Sequence, residues 1–409
     1  MSSRPTRTAV TLEDATVVIL AGGTGSRLSP YTDRQPKWNL PIRSQPLLQY
    51  LVAMAHQEGL TRVTLVRRSG AMDPAIPCIE VRDAGETRNM VGTLFQVEDR
   101  FRNDCIITYA DILYEPRILE ALCGSEADIS LVVDLGWEDY FRKRNPDPRL
   151  IAESMECASG RVVGLGQPLS ADDPLPSGQY VGLLRFRNSG IETLRSVYHE
   201  LREEFSGRPW RGRAQFELAY MTDLIQEIID RGYPVCAVPV THGWVEFDTR
   251  HDYEMVLNGD KDGSLAGVID LDSLPPLPTV ISAGGVALRE LNGKREILVV
   301  CQGGAREWRL PKGMQDRGEE VRDTAIREVL EETGVHCEAD AYLGRESWSY
   351  EYDGRQWREI CHFFRLVPSG DIGQTLDPDI HEAKWTGVQE ALALLKFDCE
   401  KDVVKRAGV

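Results

Sequence analysis

Short apolar runs alternate with longer amphipathic stretches over the first 260 residues of the chain. The apolar runs are four to five residues long and rich in β-branched side chains, which is typical of buried strands. The predicted strands are Val17–Leu20, Val63–Val66, Cys105–Tyr109 and Ile129–Val133, and the predicted helices between them include Leu47–Gly59 and Glu115–Cys123. Such alternation predicts an α/β fold with a mostly parallel sheet covered by helices.

The pattern changes near residue 260. The stretch Asn258–Ser264 is rich in turn-forming residues, and Pro275–Pro278 is a stiff, extended break. Two new strand patterns follow, at Thr279–Leu288 and Glu296–Cys301. We therefore predict a first domain over residues 1–262, a linker over 263–278 and a second domain over 279–409.

Composition and charge narrow the classes of partner. The 409 residues include 47 Lys and Arg and 64 Asp and Glu, for a net charge of −17. Such a surface repels nucleic acids and anionic membranes, so we expect small-molecule substrates instead. The nine cysteines are scattered without a C-x-x-C pair, and no apolar run is long enough to span a membrane. These features predict a cytoplasmic protein, and a homodimer is left open.

The C-terminal half contains a cluster of carboxylates on one predicted helix. Glu328, Glu331 and Glu332 fall at positions i, i+3 and i+4, so they share one face, and Gly334 marks the end of the helix. Adjacent carboxylates repel one another unless a cation compensates them, and oxygen ligands suit Mg²⁺ or Mn²⁺. An alternative interpretation is a solvated acidic face.

The residues around this cluster favour the metal-binding interpretation. Five residues separate Gly313 from Glu319, and seven separate Glu319 from the pair Arg327 and Glu328. The whole constellation resembles the Nudix box, G-x5-E-x7-R-E-U-x-E-E-x-G-U, at every specified position. The preceding segment, residues 308–313, resembles the W-x-L-P-K-G sequence found in Nudix hydrolases of dinucleoside polyphosphates and related diphosphates.

The Nudix resemblance implies an α/β/α fold and hydrolysis of a phosphoanhydride by water. It implies that Glu328, Glu331 and Glu332 are both catalytic residues and metal ligands. The Gly313 carbonyl and the downstream Glu382 would be further ligands. Glu319 and Arg327 would orient the metal-binding helix.

The N-terminal half carries a glycine-rich turn directly after its first predicted strand. Glycines allow backbone N–H groups to approach an anion closely, and Arg27 can bind phosphate oxygens through its guanidinium. The turn lacks the third glycine of a dinucleotide fingerprint and the G-K-[ST] sequence of a P-loop. By itself it is equally consistent with a tight strand-to-helix connection.

The continuation of this turn resembles the signature of nucleotidyltransferases that make NDP-sugars and CDP-alcohols. Residues 20–37 match L-A-G-G-x-G-[ST]-R-L-x-P-x-T-x-x-x-P-K at every specified position. Four more segments resemble the same family, in particular its phosphocholine and aminoalkylphosphonate cytidylyltransferases, and these are residues 88–94, 109–113, 178–183 and 244–249.

This second resemblance implies a Rossmann-like (GT-A-like) mixed sheet with helices on both faces. It implies nucleotidyl transfer from an NTP, with Arg27 on the β- and γ-phosphates and Lys37 on the attacking group. The implied nucleotide-binding residues are Leu20, Ala21, Gly22, Gly23, Gly25, Arg27, Asn89 and Thr93. The implied metal ligands are Asp111, Glu246 and Asp248.

Three positions depart from the family pattern. Ala110 replaces the usual glycine before the metal-binding aspartate. Gln167 stands where the family often has lysine, so it cannot supply a positive charge at the α-phosphate. Trp38 follows Lys37 directly and is equally consistent with packing and with shaping an acceptor pocket.

Three hypotheses follow from the sequence. The leading one is a bifunctional enzyme that makes a nucleotide conjugate in one domain and hydrolyses a phosphoanhydride in the other. In the second, the first domain is a non-catalytic nucleotide-binding regulator, as Ala110 and Gln167 suggest. The third, a scaffold with two vestigial sites, is disfavoured because folding alone gives no reason to cluster carboxylates.

Overall fold

The computed structural model describes residues 15–408 except 24, 44, 68–78, 83–88, 276–278, 305, 317, 353 and 354. Residues 24 and 88, which belong to the matched nucleotidyltransferase segments, and residues 276–278 of the predicted linker therefore lie outside the described residues. The described chain divides into two compact units, one of residues 15–275 apart from Ile79 and one of residues 279–408 with Ile79.

The first unit is built from thirteen strands and seven helices in the part of the chain that the structure describes. The strands are β1 Thr16–Ala21, β2 Pro41–Ile42, β3 Gln45–Pro46, β4 Arg62–Arg67, β5 Ile79–Arg82, β6 Asp104–Tyr109, β7 Ile112–Tyr114, β8 Ile129–Asp134, β9 Glu153–Ala158, β10 Arg161–Pro168, β11 Gln179–Arg187, β12 Cys236–Val240 and β13 Trp244–Glu246. The helices are α1 Leu47–Gln57, α2 Met90–Phe95, α3 Pro116–Cys123, α4 Trp137–Arg144, α5 Ser189–Phe205, α6 Met221–Asp230 and α7 Arg250–Asp262.

Nine of these strands form one sheet, in the order β5-β4-β1-β6-β11-β8-β12-β10-β9. The four strands and two helices predicted above are confirmed to within a few residues. The sheet is mixed, which confirms the architecture that the nucleotidyltransferase resemblance implies: β1 pairs in parallel with β4 and β6, and β12 pairs in parallel with β8, whereas β9, β10 and β11 add antiparallel pairs. Strand β11 runs antiparallel between β6 and β8, and its pairing partners are far away in sequence, which an apolar run cannot reveal.

Helices cover both faces of this sheet. Val18 and Leu20 of β1 pack in one apolar cluster with residues of α2, α5 and α6. Val17 and Ile19 point to the opposite face, because side chains alternate along a strand, and they are also buried. The C-terminal ends of β1 and β6 lie side by side, since Leu20 pairs with Tyr109 in parallel register. This edge carries the loops that follow both strands.

Residues 263–275 pack against the first unit, although their composition predicts a linker. Leu265, Val268 and Leu271 are buried. The N–H of Gly243 donates to the Val268 carbonyl at 2.6 Å, and Arg43 Nη1 donates to the Leu271 carbonyl at 3.0 Å. Apolar side chains within the turn-rich stretch thus extend the first unit to Pro275.

The second unit is an α/β/α arrangement of seven strands and three helices in its described part. Its elements in chain order are β14 Thr279–Leu291, β15 Lys294–Gln302, β16 Glu307–Arg309, β17 Lys312–Met314, α8 Val321–Thr333, β18 Cys337–Tyr352, β19 Arg355–Pro368, β20 Ile380–Gly387, α9 Val388–Leu394 and α10 Asp398–Arg406. Residues of α8 pack on one face of the sheet with Leu298, while residues of α9 and α10 pack on the other face with Ile297 and Val299.

Within the described ranges, no helix is both long enough and apolar enough to cross a membrane.

A buried ion pair stabilises the start of β6. The guanidinium of Arg185 donates to Asp104 Oδ1 through Nε at 2.8 Å, and both side chains are almost fully buried. Removing one partner of a buried pair costs about 3–5 kcal/mol, and Asp104 would then keep only the longer contact of its Oδ2 with Arg187 Nε at 3.5 Å. The substitution Arg185→Met should therefore lower the free energy of unfolding by about that amount.

Urea unfolding of the full chain measures this effect. The matched control is Arg142→Met, which removes an exposed pair with Glu138 on α4, an interaction worth only about 0–1 kcal/mol. Equal destabilisation by the two substitutions would contradict the prediction.

Candidate active sites

The glycine-rich turn after β1 is shaped by close approach to two other segments. Gly25 has φ +69°, in the left-handed region, and a Cβ there would lie 2.9 Å from Cγ of Lys37. A Cβ on Gly22 would lie 3.3 Å from Oγ1 of Thr93. Substituted residues would therefore push away the neighbours that the turn brings together. Gly23, by contrast, has open space around it.

Lys37 joins two of the predicted metal-binding carboxylates. Its Nζ lies 3.0 Å from Oδ2 of Asp111 and 3.2 Å from Oδ1 of Asp248. Burial alone would lower the pKa of Lys37, but the charges of Asp111 and Asp248 outweigh it, so the pKa is raised and the ammonium stays charged. Residues from three distant parts of the sequence thus meet at the C-terminal edge of the sheet.

Arg27 adds a second cation to this group. Its Nη2 lies 3.2 Å from Oδ1 of Asp248, and its side chain is 67% exposed. An exposed pair of this kind contributes little stability, so the guanidinium can exchange the carboxylate for another anion at small cost. The three N–H-bearing nitrogens of a guanidinium also suit two phosphate oxygens at once.

Glu246 lies two residues before Asp248, at the end of β13, and is paired with the Arg144 guanidinium. Burial raises the pKa of Glu246, and the Arg144 charge only partly offsets this effect. Sequence reasoning missed Arg144, because it lies about 100 residues before Glu246 and belongs to no motif.

Two of the predicted nucleotide-binding residues, Asn89 and Thr93, differ in their placement. Thr93 lies on α2 and faces Gly22 of the turn. Asn89 instead caps α2: its side-chain oxygen accepts from the Met90 N–H at 2.7 Å, and its Nδ2 donates to the Leu218 carbonyl at 2.7 Å. The amide of Asn89 is therefore engaged at both ends within the fold.

The structure also places the three departures from the family pattern. Ala110 is buried, and its N–H donates to the Leu20 carbonyl at 3.0 Å. Trp38 is almost fully buried, which agrees with packing. Gln167 lines a separate cavity of about 780 Å³ between β9, β10 and α6, and its N–H donates to Oγ of Ser154. Its described hydrogen bonds include none with Lys37 or Asp111.

In the second unit, Arg327 holds the carboxylates of α8 in place. It binds both carboxylate oxygens of Glu319, through Nε and Nη2, at 2.9 Å each. Its Nη1 lies 2.7 Å from Glu328 and 3.2 Å from Glu331. One guanidinium thus compensates three acidic side chains and ties the start of the helix to its middle.

Glu328 and Glu332 are fixed by backbone contacts. A Cβ on Gly313 would lie 2.0 Å from Oε2 of Glu328, so only glycine fits there. Glu332 accepts the Lys312 N–H at 3.2 Å and is only 3% exposed. Burial, followed by the charge of Glu328, raises the pKa of Glu332 to about 8. Glu331 is the most accessible of the three, with a side chain 41% exposed.

Glu382 stands apart from these carboxylates. It lies on β20, opposite Cys301 of β15, and its side chain is exposed. The hydrogen bonds and ion pairs of the described residues do not connect it to α8, so its role as a ligand stays a prediction.

The chemistry of both donor sets fits a hard divalent cation, since each consists of carboxylate oxygens, with the Gly313 carbonyl adjacent in the second unit. Among the described residues, no three Asp, Glu, His or Cys side chains already form a group that could hold a metal ion. Lys37 and Arg327 lie among the carboxylates instead, so binding of a metal would require these side chains to rearrange.

Sequence reasoning also missed an ion pair between Lys312 and Glu359 in the second unit. Lys312 Nζ lies 2.9 Å from Oε1 of Glu359 on β19, and the Trp348 indole donates to Oε2 of Glu359 at 3.1 Å. Lys312 was visible in the sequence before Gly313, but nothing in the pattern of β19 distinguishes Glu359 from an ordinary strand residue.

Comparison with known families assigns a class to each unit. A model of the MobA-like NTP transferase domain matches residues 17–173, and a model of the NUDIX domain matches residues 279–406. The chain thus carries an N-terminal nucleotidyltransferase domain and a C-terminal Nudix hydrolase domain, which confirms both resemblances. Members of the two families generally use divalent metals.

Individual relatives sharpen this assignment. The CTP:phosphoglutamine cytidylyltransferase of Campylobacter jejuni is 27% identical over 253 residues, which cover 58% of this chain and 97% of the relative. The RNA pyrophosphohydrolase of Sphingopyxis alaskensis is 30% identical over 125 residues, which cover 28% of this chain and 75% of the relative. Through this second region the chain belongs to the Nudix family, and its first domain is related to cytidylyltransferases.

Among solved structures, the inositol-1-phosphate CTP transferase from T. maritima is similar to the first domain. It has 20% sequence identity and a TM-score of 0.47, and it covers 62% of this chain and 98% of its own.

The buried carboxyl of Glu332 makes stability depend on pH. Its pKa is about 8 in the folded protein, against a usual value of 4.5. Its contribution to stability is therefore fully present below pH 4.5 and is lost as the pH rises towards 8. In EDTA, we expect Glu332→Gln to match the parent at low pH and to be more stable at pH 9, by on the order of 5 kcal/mol.

Thermal unfolding across this pH range tests the expectation. Glu338→Gln is the control, because Glu338 is exposed and follows the same helix. The same pH dependence in the parent and in Glu332→Gln would show that Glu332 ionises normally.

Proposed function

We propose that this chain is a bifunctional enzyme. Its first domain transfers a nucleotidyl group, most simply cytidylyl, from an NTP to a phosphonate, phosphocholine-like or sugar-phosphate acceptor. Its second domain hydrolyses a phosphoanhydride in a nucleoside-diphosphate conjugate. The observation that carries the transferase proposal is the convergence of Lys37, Asp111, Asp248 and Arg27 beside the glycine-rich turn.

In the transferase reaction an acceptor oxygen attacks the α-phosphorus of the NTP. The bond from the α-phosphorus to the bridging oxygen breaks, and pyrophosphate leaves with that oxygen. Arg27 binds the β- and γ-phosphates, since its exposed guanidinium is only weakly engaged. Lys37 exchanges one carboxylate partner for the acceptor oxygen and so orients it towards the α-phosphorus.

A divalent cation fits beside Asp111 and Asp248, where it would neutralise charge that develops on the phosphates. We propose Mg²⁺, with Mn²⁺ as a substitute. Gly23 has open space around it, so its backbone is accessible to phosphate oxygens, and Thr93 faces the neighbouring Gly22. Catalysis is thus positioning and charge compensation, without a covalent enzyme intermediate.

Cytidylyl transfer is supported by the relative from Campylobacter jejuni, which is named for its use of CTP and phosphoglutamine. That relative is matched over almost its whole length. We infer an acceptor of the same chemical kind, a small molecule that ends in a phosphate or phosphonate group.

In the hydrolase reaction a water oxygen attacks one phosphorus of the anhydride, and the bond to the bridging oxygen breaks. Glu331 is the residue best placed to take the water proton, because it is accessible, whereas Glu328 is packed against Gly313 and Glu332 is buried. Glu328 and Glu332 fit the cation that the box implies, and Arg327 and Glu319 orient them.

A regulatory first domain is the second candidate. It is favoured by Gln167, which supplies no charge and lines a cavity of its own. In this alternative the first domain binds an NTP without releasing pyrophosphate, and only the Nudix domain is catalytic.

A variant carrying Glu331→Gln and Glu332→Gln separates the two activities, because its second domain cannot consume a product. With Mg²⁺, pyrophosphate release is measured from CTP, UTP, GTP, ATP and dTTP, each with phosphocholine, 2-aminoethylphosphonate and sugar 1-phosphates. We expect release with CTP that depends on one class of acceptor. Lys37→Met should lower its rate by about 100-fold or more, as loss of a charge-stabilising donor does.

The matched control is Arg34→Ala, which removes an exposed cation three residues before Lys37. It should leave the rate unchanged. No release from any pair, together with NTP binding, would overturn the transferase proposal in favour of the regulatory one.

The conjugate made in this assay is also the test substrate for the second domain. The otherwise unmodified chain should hydrolyse it or a related nucleoside diphosphate, and EDTA should abolish the reaction. Glu331→Gln should lower kcat by about 100-fold or more with little change in KM, because Glu331 acts on the water rather than on substrate binding. Glu338→Gln should retain full activity, and an unaltered kcat in Glu331→Gln would exclude the assigned role.

A further inference from the structure

A buried ion pair lies directly behind the acidic segment of the transferase domain. Arg144, the last residue of α4, binds Asp252 on α7 through two bonds, from Nε to Oδ1 at 2.8 Å and from Nη2 to Oδ2 at 3.2 Å. The Arg144 side chain is 4% exposed and that of Asp252 is 2% exposed. A pair this deeply buried has a single orientation, because neither side chain can turn towards solvent.

Asp252 fixes the backbone that carries Asp248. Its Oδ2 accepts the N–H of Asp248 at 3.1 Å, the N–H of Thr249 at 2.7 Å and the hydroxyl of Thr249 at 3.0 Å. Thr249 returns a bond to the Asp252 N–H, which completes the capping box of α7. The position of Asp248 relative to Lys37 is therefore determined by Asp252.

Arg144 fixes Glu246 in the same way. The remaining nitrogen of its guanidinium, Nη1, is paired with Oε1 of Glu246. The hydroxyl of Tyr140 accepts the Glu246 N–H at 2.9 Å, and the rings of Tyr140 and Phe141 lie 5.5 and 5.0 Å from the guanidinium carbon. Glu246 is thus held through both its backbone and its carboxylate.

The charges around Glu246 and Asp248 are balanced differently. Asp248 shares the ammonium of Lys37 with Asp111 and contacts the exposed Arg27, two partners that the proposed reaction redirects to substrates. Glu246 shares a guanidinium that is buried, tied to Asp252 and unable to leave. The fixed positive charge of this guanidinium repels a second cation beside Glu246.

We propose that Arg144 and Asp252 are positioning residues of the transferase site and that Glu246 is one of their fixed partners rather than a metal ligand. The cation of this site is then held by Asp111 and Asp248, and Asp252 sets the distance between them through the backbone of Asp248. This inference rests on the proposed function only in taking residues 111 and 248 as the cation site.

The test uses the full chain with Glu328→Gln, Glu331→Gln and Glu332→Gln, so that cation binding reports on the first domain. Mn²⁺ binding is measured by electron paramagnetic resonance in the presence of CTP, together with the Mg²⁺ concentration for half-maximal pyrophosphate release and the melting temperature. Asp111→Asn in this background defines the binding that does not belong to the site.

We expect Arg144→Lys and Asp252→Asn to weaken Mn²⁺ binding by about tenfold or more and to raise the Mg²⁺ requirement in parallel. The matched control is Arg185→Lys, which alters the buried pair with Asp104. Asp104 begins β6 and Tyr109 ends it, so the control lies about 17 Å along the strand from the end that leads to Asp111. Arg185→Lys should lower the melting temperature without changing the cation dependence.

Glu246→Gln keeps an oxygen that accepts from Arg144 but removes the charge. It should bind Mn²⁺ within about twofold of the parent, whereas Asp248→Asn should lose binding. The proposal is overturned if Glu246→Gln loses binding as Asp248→Asn does, or if Arg144→Lys and Arg185→Lys affect cation binding equally. It is also overturned if the parent binds no more Mn²⁺ than Asp111→Asn does.

These outcomes are distinct from failure of the proposed reaction. Cation binding that follows the expected pattern without pyrophosphate release from any substrate pair would support the positioning network and reject the transferase activity.

Discussion

Repulsion between neighbouring carboxylates is the constraint on which both sites depend. Asp111 and Asp248 approach each other only because the Lys37 ammonium lies between them, and burial makes that compensation strong. The fold supplies the other requirement, since the parallel pairing of β1 and β6 places the loops after both strands at one edge. Without the ammonium, these two carboxylates would have only the exposed Arg27, which contacts Asp248, as a described cationic partner.

In the second unit the repulsion between carboxylates is compensated by an arginine, and the residues involved are close together in sequence. Arg327 lies on the helix that carries Glu328 and Glu331, and it reaches back to Glu319 just before that helix begins. A guanidinium suits this task because its nitrogens point in fixed directions and can serve several carboxylates at once. Lysine in the first unit compensates two groups with a single point charge, whereas arginine in the second compensates three and also determines their orientation.

The sequence predicts those features that depend on near neighbours. The helix of Glu328, Glu331 and Glu332 follows from a spacing of three and four residues, and the strand before the glycine-rich turn follows from its apolar run. It does not predict the antiparallel insertion of β11, the role of Arg144 behind Glu246, or the pairing of Lys312 with Glu359. Each of these joins residues far apart in sequence, and the composition around them is ordinary. The turn-rich composition of residues 263–275 likewise predicts a linker, whereas their apolar side chains are buried in the first unit.

The contact between Gly313 and Glu328 makes the position of the Glu328 carboxylate depend on the register of β17 against β14. Gly313 pairs with Ala283 of β14, while its neighbours Lys312 and Met314 pair with Gly284 and Ser282. A slip of one residue would bring a side chain with a Cβ to the place where the Glu328 carboxylate now lies against bare backbone. A molecule with the wrong strand register would therefore have an inactive Nudix domain rather than a partly active one. The hydrolase activity recovered after refolding would then be proportional to the fraction of molecules in which β14 and β17 pair in the correct register.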